Sequence, residues 1–243
     1  MKTKITTLLF FVFGIFMTGT AQPPEYDDLL ILYADGEYEK CLKDAEKYTL
    51  KDKTKKDPLP YLYLAKCNYK LSQDDQYSEK YPKAFKDGVK FASKCIKYDV
   101  EGVVFEDEYD FFKTLKGGLI EDLKNLVAIG KYPKMLSPIS LLQRLDKEDV
   151  GSYWLKAAVL YRNQDKSSAK VVVKEAQAKL DGVTSVDSWA PIDLESLKFG
   201  VMEYCKAVVD MNQIQKAKDL LGKVKQWLEF DDEFMSYYDE VVN

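Results

Sequence analysis

The stretch from Gly118 to Leu180 repeats one design twice, and that repetition limits the possible folds more than any other feature of the chain. Apolar residues at Leu119, Leu123 and Leu126 are followed by a turn at Gly130-Lys131-Tyr132 and a second run at Met135, Ile139 and Leu142. Trp154, Ala158 and Tyr161 then lead through Asn163-Gln164-Asp165 into Ala169, Val172, Val173, Ala176 and Leu180. Each run keeps the three-and-four spacing that places side chains on one helical face. The equivalent positions Leu123 and Ala158 lie 35 residues apart. A helical hairpin of this size cannot bury its apolar face alone, so units repeating at such a period must stack on one another. The expectation is an all-α chain.

Taken in order, the rest of the chain fits this plan. Leu29, Leu32 and Tyr33 mark a first helix, followed by Asp35-Gly36-Glu37-Tyr38-Glu39-Lys40-Cys41, with Ala45 and Tyr48 beyond. Gly36 permits a tight turn. After a lysine-rich linker from Lys51 to Lys56, Asp57-Pro58 opens the next helix, where proline suits the first turn. That helix carries Tyr61, Leu64, Ala65 and Asn68, and an enlarged turn from Ser72 to Tyr81 precedes its partner at Pro82 to Lys97. On the partner, Ala84, Gly88, Phe91 and Cys95 share one face, and Lys83, Lys86, Lys90, Lys94 and Lys97 another. This lysine stripe reads as a solvated outer face, or else as a docking strip for an acidic partner or anionic lipid. Phe105 to Leu115 reads as an extra acidic-aromatic helix that Gly117-Gly118 ends; its carboxylates lack the spacing and glycine of a calcium loop. Asp149 is a fair N-cap for the helix that holds Trp154.

Past Gly182 a longer connection carries Trp189, which either folds back over the stack or offers a ligand a stacking platform. The last pair has Val201, Tyr204, Cys205 and Val208 on its first helix, and Ile214, Ala217, Leu221, Val224 and Leu228 on its second. Asp231 to Val242 closes the chain as a cap over the last apolar face. A turn glycine, an aromatic two residues later, a small residue three after that, then steps of four and three resembles the second half of a tetratricopeptide (TPR) repeat. Cys41 stands where that family usually has alanine, Tyr48 replaces its usual small residue, and Asn68 replaces an aromatic. The resemblance covers nearly all of residues 22–243 as a single domain. It implies an α-solenoid of about five antiparallel hairpins with a C-terminal capping helix.

Met1 to Ala21 has the form of a secretory signal peptide: Lys2 and Lys4, an apolar stretch from Ile5 to Met17, then Gly19-Thr20-Ala21. The apolar run is short for a membrane span, so no transmembrane segment is expected. The chain has no histidine, which excludes a Ser-His-Asp triad, a Cys-His pair and a histidine zinc site. No phosphate loop, nucleophile elbow or metal cluster is visible, so the reading is of a non-enzymatic protein without cofactor. Adjacent acids such as Asp231 and Asp232 read as solvated. A net charge of -4 argues against nucleic acid as a partner. Cys41, Cys67, Cys95 and Cys205 form no CxxC and fall on apolar helix faces, as four buried thiols or with one Cys67–Cys95 disulfide.

In TPR proteins the concave groove is lined mainly by the first helix of each pair. Aligning Ala65, Leu123 and Cys205 makes the next residues Lys66, Lys124 and Lys206, a position that points into the groove in that family. Tyr26, Tyr33, Tyr69, Lys70, Arg162 and Phe199 are further candidates beside them. Lysines among aromatics suit an acidic segment or a free C-terminal carboxylate. The resemblance therefore implies an interaction scaffold of the bacterial cell envelope, periplasmic or outer-membrane-associated, that binds other envelope proteins. A subunit of a large type IX-like secretion or gliding machine is an alternative, because accessory proteins of that kind have a similar style. A surface glycan-binding helical repeat protein is another. The leader carries its own prediction: intact-mass measurement on exported protein should show a chain beginning at Gln22, and a mass retaining Met1 to Ala21 would refute the cleavage.

Overall fold

The structure is a computed structural model that describes residues 26–243; the leader and its cleavage point lie outside the described residues. Twelve α-helices follow one another, with no strand among the described residues. They are α1 (Asp27–Ala34), α2 (Tyr38–Leu50), α3 (Pro58–Ser72), α4 (Ala84–Tyr98), α5 (Val103–Asp107), α6 (Tyr109–Ala128), α7 (Leu136–Leu145), α8 (Val150–Arg162), α9 (Lys166–Asp181), α10 (Pro191–Val209), α11 (Ile214–Leu228) and α12 (Asp232–Val242). No helix among the described residues is long and apolar enough to cross a membrane.

The turns explain why helices recur in this order. After α1, α6, α8 and α10 the chain passes through one left-handed residue: Gly36, Gly130, Gln164 and Asn212, with φ of 75°, 65°, 64° and 58°. Each turn is closed by the same two backbone bonds. The long one runs from Glu37 N to Leu32 O, Lys131 N to Leu126 O, Asp165 N to Leu160 O and Gln213 N to Val208 O, all at 2.9 Å. The short one joins the left-handed residue to the carbonyl three back, at 2.8–3.2 Å. This is the Schellman arrangement, which satisfies the carbonyls that a helix end leaves free. Gly130 and Gln164 are 34 residues apart, within one residue of the spacing of the apolar pattern. N-caps set several of the helix starts: Asp57, Asp149, Asp165 and Asp231 each accept a backbone N–H from the first turn.

Close backbone approaches decide how the helices cross. At Gly88 an added Cβ would lie 3.2 Å from Ala65 O and 3.3 Å from Asn68 Cβ. A small residue is therefore required on α4, and the buried Asn68 turns its amide back to Leu64 O at 2.8 Å. The crossing of α8 over α10 is tighter still. A Cβ on Gly200 would fall 2.0 Å from Gly151 O, and one on Gly151 2.0 Å from Ser196 O. Around that crossing α8 is buried between α9 and α10, with Trp154 2% exposed and its ring centroid 4.8 Å from that of Tyr204.

One expectation is overturned here. Gly117-Gly118 does not end a helix; α6 runs through both as a single 20-residue element. Gly118 serves packing, because a Cβ there would lie 2.5 Å from the Phe85 ring, whereas one on Gly117 would make only ordinary contact with Ile192 at 3.7 Å. The acidic-aromatic segment is thus split between short α5 and the first half of α6. The four cysteines are buried and unbonded, and the thiol of Cys67 faces Cys41 across α2 and α3.

Two apolar cores result, one gathered by α1 to α7 and one by α8 to α12. Leu155 and Val159 of α8 belong to the first, whereas Trp154 and Ala158 of the same helix belong to the second. α8 is therefore the shared wall. Gly200→Ala should lower unfolding free energy by about 3 kcal/mol or more, since neither backbone has room to yield. Gln164→Gly should raise it by about 1 kcal/mol by relieving a left-handed side-chain residue. Urea melts of both variants check the pair, and a destabilising Gln164→Gly would show that the turn is not strained.

Candidate functional site

On α6 the apolar stripe Phe112, Leu115, Leu119, Ile120 and Leu123 includes a lysine, Lys116, which is 1% exposed. A buried ammonium needs compensating charge. It is met by Asp146 at 2.8 Å, Asp149 at 2.9 Å and Asp193 at 2.6 Å. These carboxylates come from the turn before α8, the α8 N-cap and the first turn of α10. Asp149 also accepts Ser152 N and the Ser196 hydroxyl, at 3.1 and 3.0 Å. Asp193 accepts Ala190 N at 3.1 Å and Lys113 Nζ at 2.8 Å. Burial works against the charge on Lys116, but the three carboxylates raise its pKa above the ordinary lysine range. Burial likewise works against the charge on Asp193, and Lys116 and Lys113 overcome it, holding this carboxyl below the usual aspartate value.

This network floors a cavity of about 520 Å³, whose walls include Lys179, Thr184, Ser185 and Trp189. Trp189 therefore lies at the rim of a pocket and also packs on the second core. Among the described residues no three His, Cys, Asp or Glu side chains are grouped to hold a metal ion.

The nine groove candidates separate into clusters. Tyr33, Lys66 and Tyr69 gather about Phe111: Lys66 Nζ lies 5.7 Å from the Tyr33 ring centre and 5.8 Å from that of Phe111, and the Tyr69 and Phe111 rings meet edge-on at 5.9 Å. Lys70 is exposed on the next step of α3. Lys124, Phe199 and Lys206 line one depression of about 230 Å³ between α6 and α10, together with Lys198, Met202 and Glu203. Arg162 pairs with Asp210 at the end of α10 and lies 5.6 Å from the Tyr132 ring centre. Tyr26 stands apart. It is buried, with its ring edge-on to Tyr48 at 4.9 Å, and so belongs to the core.

Sequence spacing identified the lysines but not their partners. Lys66 pairs with Glu108 at 2.5 Å, Lys124 with Glu195 at 2.7 Å and Lys206 with Glu203 at 2.8 Å. Lys198 meets Asp231 at 2.9 Å and Glu195 and Glu233, both at 3.0 Å. Four lysines thus face five carboxylates, and the groove has alternating rather than positive charge. The signal for Lys116 was present, as a charged residue inside an apolar stripe. No protein-family model, curated protein or solved structure matches this chain.

Lys116→Met leaves three carboxylates desolvated without their cation, and should destabilise the fold by about 3–5 kcal/mol at neutral pH. Asp193 is depressed, so its contribution is present above the ordinary aspartate pKa of 3.8 and is lost as pH falls through its folded value. Lys116 is raised, so its contribution is complete below 10.5 and is lost only as pH rises through its folded value. The gap between wild type and variant should be widest at neutral pH and should close on acidification, as the carboxylates left without their cation take up protons. Melts across this range check it; a gap unchanged in acid would show that the network is not the source.

Proposed function

We propose that the protein is a non-enzymatic, TPR-like interaction scaffold of the bacterial cell envelope that receives a partner segment along the leading helices of its pairs. The carrying observation is the repetition of a lysine beside aromatics at two places on that surface: Lys66 with Tyr33 and Phe111, and Lys124 and Lys206 with Phe199. α6 spans both places, with Phe111 in its first turn and Lys124 towards its C-terminal end. At 1.5 Å rise per residue they stand about 20 Å apart, the length of roughly six extended residues. The recurring Schellman turns and the α12 cap support a stacked-hairpin reading of the twelve helices. The leader supports export. Membership of a type IX-like machine would be one setting for such a scaffold.

The paired glutamates refine the occupant. A groove with alternating Lys and Glu selects register more than net charge, because each lysine must exchange an existing partner for a new one. A polar or mixed-charge segment with an apolar anchor for Phe199 and Met202 suits it better than a purely acidic one.

The cavity walled by Trp189 favours a second reading, capture of a glycan. An indole face beside hydroxyl and carboxylate groups is a surface on which sugars stack and hydrogen-bond. Cross-linked affinity purification from native envelopes, followed by mass spectrometry, separates the two readings. Combined Lys66→Glu, Lys124→Glu and Lys206→Glu, with folding confirmed by circular dichroism, should weaken partner recovery at least about tenfold. Trp189→Ala should leave recovery unchanged under the scaffold reading. Unchanged recovery and salt dependence in the triple variant would remove the groove as the site.

A further inference from the structure

The end of the molecule formed by the α2–α3 loop and the C-terminus of α4 has a composition unlike the rest of the chain. Residues 51–57 and 94–101 hold six lysines against four carboxylates, although the whole chain has a net charge of -4. Two of the four acids are turned inward: Asp57 accepts Leu59 N and Asp99 accepts Phe105 N. Among the described residues only Lys55 of the six lysines pairs with a carboxylate. The two segments share one end of the fold. Tyr61, near the start of α3, packs on Tyr98 at the end of α4 at 5.1 Å, lies under Lys94 Nζ, and donates its hydroxyl to Lys55 O.

Large aliphatic side chains stand out of the same end. Leu50 is 82% exposed, Val100 92% and Val103 53%. They are held in place: Leu50 ends α2, Val103 begins α5 and Val100 lies in the short turn after α4. Buried Thr54 donates to Tyr48 O at 2.6 Å inside the 51–57 loop, and Gly102, with φ of 77°, closes the loop after α4. A soluble surface gains nothing from fixing bare aliphatics at helix ends among unpaired lysines. A lipid interface does, because it takes the apolar tips below the headgroups and the ammonium groups at headgroup level.

We propose that this basic, aliphatic-tipped end is a peripheral docking surface for an anionic lipid membrane. Leu50, Val100 and Val103 would enter the headgroup boundary, and Lys53, Lys56 and Lys97 would lie against lipid phosphates. Charge complementarity selects anionic over zwitterionic lipid, and the aliphatic tips select a lipid surface over an acidic protein. The proposal is independent of the groove, which lies along the leading helices.

Processed protein from the exported fraction should co-sediment with vesicles of phosphatidylethanolamine and phosphatidylglycerol, and not with phosphatidylcholine vesicles. Raising salt from about 0.1 to 0.5 M should weaken this binding by screening. Combined Lys53→Glu, Lys56→Glu and Lys97→Glu should lower vesicle affinity about a hundredfold, near fivefold per lysine. Leu50→Ser with Val100→Ser should lower it about tenfold, and because both sites are exposed the fold should be retained by circular dichroism. Absence of binding to anionic vesicles overturns the proposal, as does binding indifferent to both sets. If the serine pair has no effect while polyglutamate competes as well as vesicles do, the surface is one for an acidic protein and the membrane assignment fails.

Discussion

The Lys116 ammonium and its three aspartates are the interaction on which the arrangement of the helices depends. A buried cation without partners is prohibitive, so α6 can be buried at this point only if Asp146, Asp149 and Asp193 are all delivered to it. Delivery sets the position of the turn before α8, the start of α8 itself and the start of α10. The Asp149 carboxylate has a second duty as N-cap, and through Ser196 it reaches α10 as well. One carboxylate thus couples where a helix begins to where its neighbour lies. The apolar cores add most of the favourable free energy, but fatty contacts tolerate sliding. The charge network does not, because each bond has a length and a direction.

The helices were legible because a 3.6-residue apolar stripe is written directly in the residue order. Crossing geometry was much less legible. Gly117-Gly118 reads locally as a helix stop, yet the pair sits inside α6, where the Phe85 ring takes the space a side chain at Gly118 would fill. Gly151 and Gly200 have the same character: nothing within their own segments shows that the two backbones touch. Glycine propensity is a local quantity, and close approach is a relation between segments about 50 residues apart. The turns show the reverse. Gln164 and Asn212 adopt the conformation of Gly36 and Gly130, and hydrogen bonding at the helix end overrides the side-chain preference.

For the site, spacing singled out Lys66, Lys124 and Lys206 from their place in the helical register, and Glu203 stands one turn before Lys206 on the same helix, but spacing could not show Glu108 and Glu195 opposite the other two. Glu108 is 42 residues from Lys66 and Glu195 is 71 from Lys124, so neither pair leaves a local trace. Tyr26 misled for a related reason. A tyrosine one residue ahead of a helix can point either way, and here the edge of the Tyr48 ring draws it inward.

The placement of Lys116 on α6 has a mechanical consequence. The aromatic cluster around Phe111 and the depression around Phe199 lie towards opposite ends of the helix that this lysine anchors. Any bending of the molecule at that anchor changes their separation. A partner that touches only one of them is indifferent to such bending. A partner that bridges both is held twice, and the second contact forms at an effective concentration set by the stiffness of the joint between them. The buried charge network is then a calliper lock: by fixing the gap between two weak grips, it decides the length of chain that can be gripped firmly.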